Sequence, residues 1–76
     1  MTMSKNIDIN AIGLRCPEPL MIVRKAMRHL DKGDTVMVIA DDPSTERDFE
    51  LLCVHMEYKM LKKELNDNIL SFVMQK

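Results

Sequence analysis

The stretch Gly13-Leu14-Arg15-Cys16-Pro17-Glu18-Pro19 places a cysteine between two segments of different periodicity. Before it, apolar and polar residues alternate over residues 6–10, the pattern of a short strand with one buried face. After it, apolar residues recur at helical spacing from Leu20 onward. Gly13 permits a bend out of the strand, and Pro17 suits the first helical position, where no N–H is needed. We therefore expect Cys16 at the N-cap of a helix.

This position predicts a reactive thiol. The thiolate is the nucleophilic form of cysteine, and the free N–H groups and dipole at a helix N-terminus stabilise negative charge. The neighbours act on the Cys16 pKa in opposite directions: Arg15 favours the thiolate, Glu18 opposes it, and Pro19 lacks an N–H donor. A depressed pKa is accordingly a prediction to be tested. The prolines are expected to keep the loop rigid.

The rest of the chain predicts a small α/β fold. The first helix should end at residues 31–34 with a glycine cap, and the β-branched run Thr35–Ala40 predicts a central strand with both faces at least partly covered. A second helix should begin at residues 41–45, with a loose capping box at 45–48. Two further strands fit residues 58–65 and 69–75. The order is β-α-β-α-β-β, with two helices on one face of a four-stranded sheet and a right-handed first βαβ unit.

Length and charge limit the classes of function. The 76 residues predict one domain, residues 1–76, with an ordered core over about 5–76 and no room for a deep enclosed pocket. A net charge of −1 and three aromatic residues argue against direct nucleic-acid binding. No apolar stretch is long enough to cross a membrane, and residues 1–4 are too short and polar for an export signal. A cytoplasmic location is therefore expected.

Several other polar groups have simpler explanations than chemistry. Cys53 lies on the apolar face of the second helix, which favours core filling over a redox role, and a cytosolic disulfide is not expected. His29 and His55 are not at metal-ligand spacing to the cysteines, so no metal site is predicted. The adjacent carboxylates Asp41 and Asp42 are explained by a helix start.

The first helix also carries candidate docking residues. Met21 falls among its charged positions, one turn beyond Cys16, and is either a docking contact or an ordinary exposed apolar residue. Arg15, Arg24 and Arg28 are candidates for a basic docking patch.

The cysteine loop, the following Val23-Arg24-Lys25, and residues 40–45 with Arg47-Asp48 resemble the TusA/SirA family of small bacterial sulfur carriers. The similarity includes a Cys-Pro-x-Pro (CPxP) motif and extends from about Ile7 to the C-terminus. It implies a two-layer α/β (α+β) sandwich with a mixed sheet. It also implies that Cys16 is the catalytic residue, which accepts a sulfane sulfur as a persulfide from a cysteine desulfurase (IscS-like). The sulfur would pass to a downstream relay protein (TusBCD-like) and end in 2-thiolation of the wobble uridine of certain tRNAs.

This sulfurtransferase-type function requires no cofactor, because thiol exchange at Cys16 is sufficient. Arg15 is expected to stabilise the anion and Glu18 to orient the partner. The other expected supporting residues are Pro17, Pro19, Met21 and Arg24. Two alternatives stay open: a non-catalytic interaction or regulatory module, and a redox switch in which Cys16 forms a disulfide with a partner. Related carriers serve molybdenum-cofactor assembly or sulfur oxidation, so the final sulfur acceptor is open too.

Overall fold

Two helices and four strands follow one another in the predicted order in the computed structural model, which describes residues 5–76. They are β1 Asn6–Ala11, α1 Glu18–Arg28, β2 Thr35–Ala40, α2 Ser44–Met56, β3 Lys59–Asn66 and β4 Ile69–Gln75. Residues 1–4, for which no export signal was expected, lie outside the described residues. The predicted order of the elements is confirmed.

The sheet is mixed and has the strand order β1-β2-β4-β3. β1 and β2 are parallel, whereas β4 is antiparallel to both β2 and β3. A parallel pair needs a crossover connection, which α1 supplies. In the register of this pair Ala11 lies beside Ala40, so the two strands end together. The loops that follow them therefore start side by side at one edge of the sheet, and this places the site.

The core lies between the helices and one face of the sheet. Val23 and Met27 of α1 are fully buried, and so are Phe49 of α2 and Phe72 of β4. The two phenylalanine rings meet edge to face, with centroids 4.8 Å apart and planes at 88°. This is a favourable geometry for aromatic pairs. The predicted two-layer sandwich is confirmed.

β2 has the environment that the sequence predicted, because Thr35 and Ile39 on its second face are half-buried. Val36 and Val38 are fully buried under the helices, but Met37, which points to the other face, is 42% exposed. The apolar run therefore marks an inner strand that has a neighbour on each side, and only one of its faces is fully covered.

The predicted glycine cap of α1 is wrong. The helix ends at Arg28, and Gly33 adopts its left-handed conformation, φ 99°, in the turn before β2. The backbone N–H groups of His29 and Leu30 donate to the last helix carbonyls, and the Lys76 ammonium donates to the oxygens of Met27 (2.6 Å) and of Leu30 (2.7 Å), just beyond the helix. A cation at this helix end also opposes the negative end of the dipole.

Replacing Phe72 by alanine should lower the free energy of unfolding by about 3–5 kcal/mol, since it removes a fully buried ring and leaves a cavity against Phe49. Urea denaturation followed by circular dichroism measures this change. The control is Leu65→Ala, whose side chain is 65% exposed, with an expected change within about 0.5 kcal/mol. Equal losses in the two variants would contradict the proposed core.

Candidate functional site

Cys16 lies exposed in the loop between β1 and α1. Two backbone bonds tighten the loop: Leu14 N–H donates to the Ala11 oxygen, and Glu18 N–H to the Arg15 oxygen. Gly13 adopts φ 85°, a left-handed conformation that favours glycine. The thiol is thus displayed on a compact loop, as the sequence predicted.

The predicted N-cap is displaced by one residue. The first helical bond runs from Met21 N–H to the Pro17 oxygen, so Pro17 is the N-cap and α1 begins at Glu18. Cys16 lies outside the helix, and its N–H donates to the Asp42 carboxylate at 2.9 Å. The influence of the helix dipole falls off within one turn, so Cys16 receives less of it than predicted.

The Asp42 carboxylate joins the cysteine loop to the start of α2. One oxygen accepts the Cys16 N–H, and the other accepts the Ser44 N–H at 3.0 Å. The Asp42 backbone oxygen accepts the Thr45 hydroxyl at 2.7 Å. The N–H donors of Ser44 and Cys16 lower the pKa of the Asp42 carboxyl. Asp42 starts the second helix, as predicted, and it also holds the loop that carries the thiol.

Asp41 makes a second connection between the same two loops. Its carboxylate accepts the Gly13 N–H at 3.0 Å and the Arg15 guanidinium at 2.9 Å. These two donors hold the pKa of the Asp41 carboxyl below its usual value. Arg15 was expected to stabilise a thiolate, but its charge is paired with Asp41. Its observed role is to hold the loop.

The Asp48 carboxylate is in direct contact with the Cys16 sulfur. The Cys16 thiol donates to the Asp48 carboxylate, with Sγ and Oδ2 3.4 Å apart. Sequence reasoning placed Asp48 in a capping box, yet α2 has no side-chain cap bond, and the Asp48 side chain reaches the loop that carries Cys16. Asp48 was thus missed as a site residue, although it belonged to the motif that carried the family resemblance.

The predicted depression of the Cys16 pKa is wrong. The hydrogen bond to Asp48, partial burial and the charges of Asp48 and Asp42 raise the pKa of the thiol, while the Ser44 hydroxyl opposes the shift. A carboxylate that accepts the thiol proton stabilises the neutral form and repels the thiolate. The two carboxylates therefore affect the thiol pKa more than the N-terminus of α1, which is one residue further away than expected.

The remaining predicted site residues divide between surface and interior. Pro17, Glu18 and Arg24 are exposed, and Met21 is 61% exposed. Pro19 is buried beneath the loop. Pro19 is therefore placed to support the loop, whereas the other four lie where a partner could touch them.

A shallow groove of about 270 Å³ runs between the two helices beside Asp48. Its lining residues combine apolar side chains with both signs of charge: Leu20, Arg24, Asp48, Leu51, Leu52, His55 and Met56. The outer face of α1 continues from it with Arg24, Lys25 and Arg28 around Met21. The surface next to the thiol is therefore apolar at its centre and basic on the α1 side.

Cys53 is buried, 7% exposed, and burial raises the pKa of its thiol. This matches the predicted core role. Within residues 5–76 no group of three His, Cys, Asp or Glu side chains is arranged to hold a metal ion. In the same residues no helix is long and apolar enough to span a membrane.

Fold and site together define a small α+β protein that presents one thiol on its surface. The sequence family described as sulfurtransferase TusA matches this chain over residues 7–76. The chain belongs to this family of sulfur carriers, and the predicted resemblance is confirmed. The fold is also similar to that of a SirA-like protein from Desulfitobacterium hafniense, with a TM-score of 0.83 and 24% identity, over 91% of this chain and 95% of that chain. This likeness shows the shared fold.

Acid should weaken the connection that Asp42 makes. Because its pKa is lowered in the folded state, the carboxylate stabilises the protein above its unfolded pKa of about 3.9, and this contribution is lost as the pH falls through the folded value. We expect Asp42→Asn to be less stable than the wild type at pH 7 and to lose less stability between pH 7 and pH 3. Urea denaturation at both pH values measures this.

The matched control is Asp67→Asn, a carboxylate in the exposed turn between β3 and β4. Its φ of 51° is one that asparagine tolerates. Parallel stability profiles for Asp42→Asn and Asp67→Asn would show that Asp42 does not hold the loop.

Proposed function

We propose that Cys16 receives a sulfane sulfur from a cysteine desulfurase, holds it as a persulfide, and passes it to the next protein of a sulfur relay. The observation that carries the proposal is an exposed thiol on a loop held by Asp41 and Asp42, in a chain of the sulfurtransferase TusA family. A protruding, fixed sulfur suits a carrier, because donor and acceptor cysteines must each reach it in separate complexes.

The transfer is a balanced thiol exchange. The Cys16 sulfur attacks the terminal sulfur of the donor persulfide, a new S–S bond forms, and the donor's S–S bond breaks. The proton of Cys16 passes to the departing donor thiolate, so the products are a donor thiol and a Cys16 persulfide. In the second complex an acceptor thiol gives up its proton and its sulfur attacks the outer sulfur of the persulfide, so that Cys16 leaves as the thiolate and takes up that proton to become the thiol. Each step exchanges one S–S bond for another and requires no external oxidant or reductant.

The surface around the thiol fits a protein partner. Met21 and the groove beside Asp48 offer apolar contact, and Arg24, Lys25 and Arg28 give α1 a basic face. Charged groups steer an approaching protein toward a surface of opposite charge, so a basic face selects an acidic partner. We place Glu18 at the edge of this contact, because it is the first residue of α1 and is exposed next to the cysteine loop.

Cys16→Ser should abolish sulfur loading, since the acceptor atom is removed. Intact-mass spectrometry after incubation with a cysteine desulfurase and cysteine should show the mass gain of one sulfur atom in the wild type and none in the variant. The matched control is Cys53→Ser, which keeps Cys16 and should load normally. Loading retained in Cys16→Ser refutes the proposal. A mixed disulfide without added sulfur would support the redox switch instead.

Reversing the charge of the α1 face should impair loading by the enzyme donor. We expect the double variant Arg24→Glu and Arg28→Glu to load at least several-fold more slowly from the desulfurase at low salt, because electrostatic steering raises association rates by about 10-fold or more. Loading from a small polysulfide should be unchanged. Lys59→Glu and Lys62→Glu on β3 form the control pair. Equal slowing with both donors would show damage to the thiol loop, not lost docking.

We propose the wobble uridine of tRNA as the final destination and the cytoplasm as the compartment. The basis is the resemblance of the cysteine loop and of residues 40–45 to carriers of that pathway. Mass analysis of tRNA nucleosides from cells that lack the protein tests this. Normal 2-thiouridine in such cells would leave the carrier chemistry intact and move the destination to molybdenum-cofactor assembly or sulfur oxidation.

A further inference from the structure

Asp48 is placed to act on the Cys16 sulfur from outside the loop that carries it. Its carboxylate lies 3.4 Å from Sγ, on α2, and the residue is half-buried in the wall of the groove between the helices. The Cys16 N–H is taken by Asp42 on the other side of the loop. The sulfur therefore meets a carboxylate directly, while its own backbone donor points elsewhere.

The other charged groups around the thiol do not offset Asp48. On the loop, the Arg15 guanidinium is paired with Asp41 at 2.9 Å. On α1, Arg24 lines the same groove as Asp48, and within residues 5–76 it forms no ion pair shorter than 4.0 Å. His55 also lines this groove, on the α2 side, and Glu18 is exposed at the start of α1. Asp48 raises the thiol pKa through its hydrogen bond and its charge, Asp42 raises it through its charge, and the neutral Ser44 hydroxyl lowers it.

We propose that Asp48 restrains Cys16 in the unloaded protein by holding the proton on its sulfur, so that the exposed thiol is a weak nucleophile outside a sulfur-transfer complex. As a role in a carrier, this rests on the proposed function. A thiol that donates to a carboxylate is stabilised as the thiol, and the same negative charge opposes formation of the thiolate. Exposed reactive cysteines are the ones that alkylating and oxidising agents modify. Asp48 therefore protects a thiol that must stay on the surface.

Loading changes this contact. In the persulfide, Sγ carries a second sulfur in place of its hydrogen, so it has no proton to donate to Asp48. Asp48 acts on the empty carrier, and its hold on Sγ ends when the sulfur has been received.

The test is the pH dependence of alkylation of the unloaded, full-length protein by iodoacetamide, with peptide mass spectrometry to assign the label to Cys16. At a pH below the thiol pKa, lowering that pKa by one unit increases the thiolate fraction but makes each thiolate less nucleophilic. The net effect is an alkylation rate about three times higher. We expect Asp48→Asn to move the midpoint to lower pH and to speed labelling at pH 7 by about threefold or more. Asp48→Ala, which adds no amide donor, should shift the same way.

Glu46→Gln is the matched control. It makes the same charge change on the same helix, but Glu46 faces Lys63 at 3.5 Å and not the thiol. Its labelling profile should match that of the wild type. An unchanged midpoint in both Asp48 variants, or slower labelling at every pH, would overturn the proposal, the latter by making Asp48 a proton acceptor that activates Cys16. Since no sulfur donor is present, this result does not depend on whether Cys16 loads sulfur.

Discussion

The position of the thiol depends on one carboxylate that two loops share. Asp42 accepts the N–H of Cys16 and the N–H of Ser44 with its two oxygens, and the residue is 8% exposed. This arrangement is possible because β1 and β2 are parallel and end in register, so the loop after each strand starts at the same edge. The chemistry of the cysteine loop is therefore fixed by sheet pairing as much as by the helix that follows.

The order of the elements could be predicted because it is written in local patterns. Alternation marks β1, helical spacing marks Val23 and Met27, and a β-branched run marks β2. The partners of Cys16 could not be predicted in this way. Asp42 and Asp48 lie 26 and 32 residues further along the chain, and each has a sufficient local explanation as a helix-start residue. The displaced N-cap could not be predicted either, since the acceptor of the Cys16 N–H is equally distant in sequence.

The basic side chains proposed for docking and the carboxylates beside the sulfur belong to different elements of the fold. The basic side chains lie on the outer face of α1, whereas the carboxylates beside the sulfur come from α2 and from the loop before it. The charges next to the thiol thus differ from those of the α1 face, and they favour the protonated sulfur. Family membership and an exposed cysteine alone would suggest the opposite, an activated thiolate. The acidic neighbours show why local sequence position is a poor guide to a pKa.

The burial of Cys53 has a consequence for storage. An internal disulfide would form if its thiolate attacked the inner sulfur of a Cys16 persulfide, and the outer sulfur would leave as hydrogen sulfide. The cargo would be lost before any acceptor arrived. With its side chain packed in the core and its pKa raised by burial, Cys53 is withheld from this leak. Under the proposed function, the hydrophobic core thus keeps the Cys53 thiol away from a sulfur carried on Cys16.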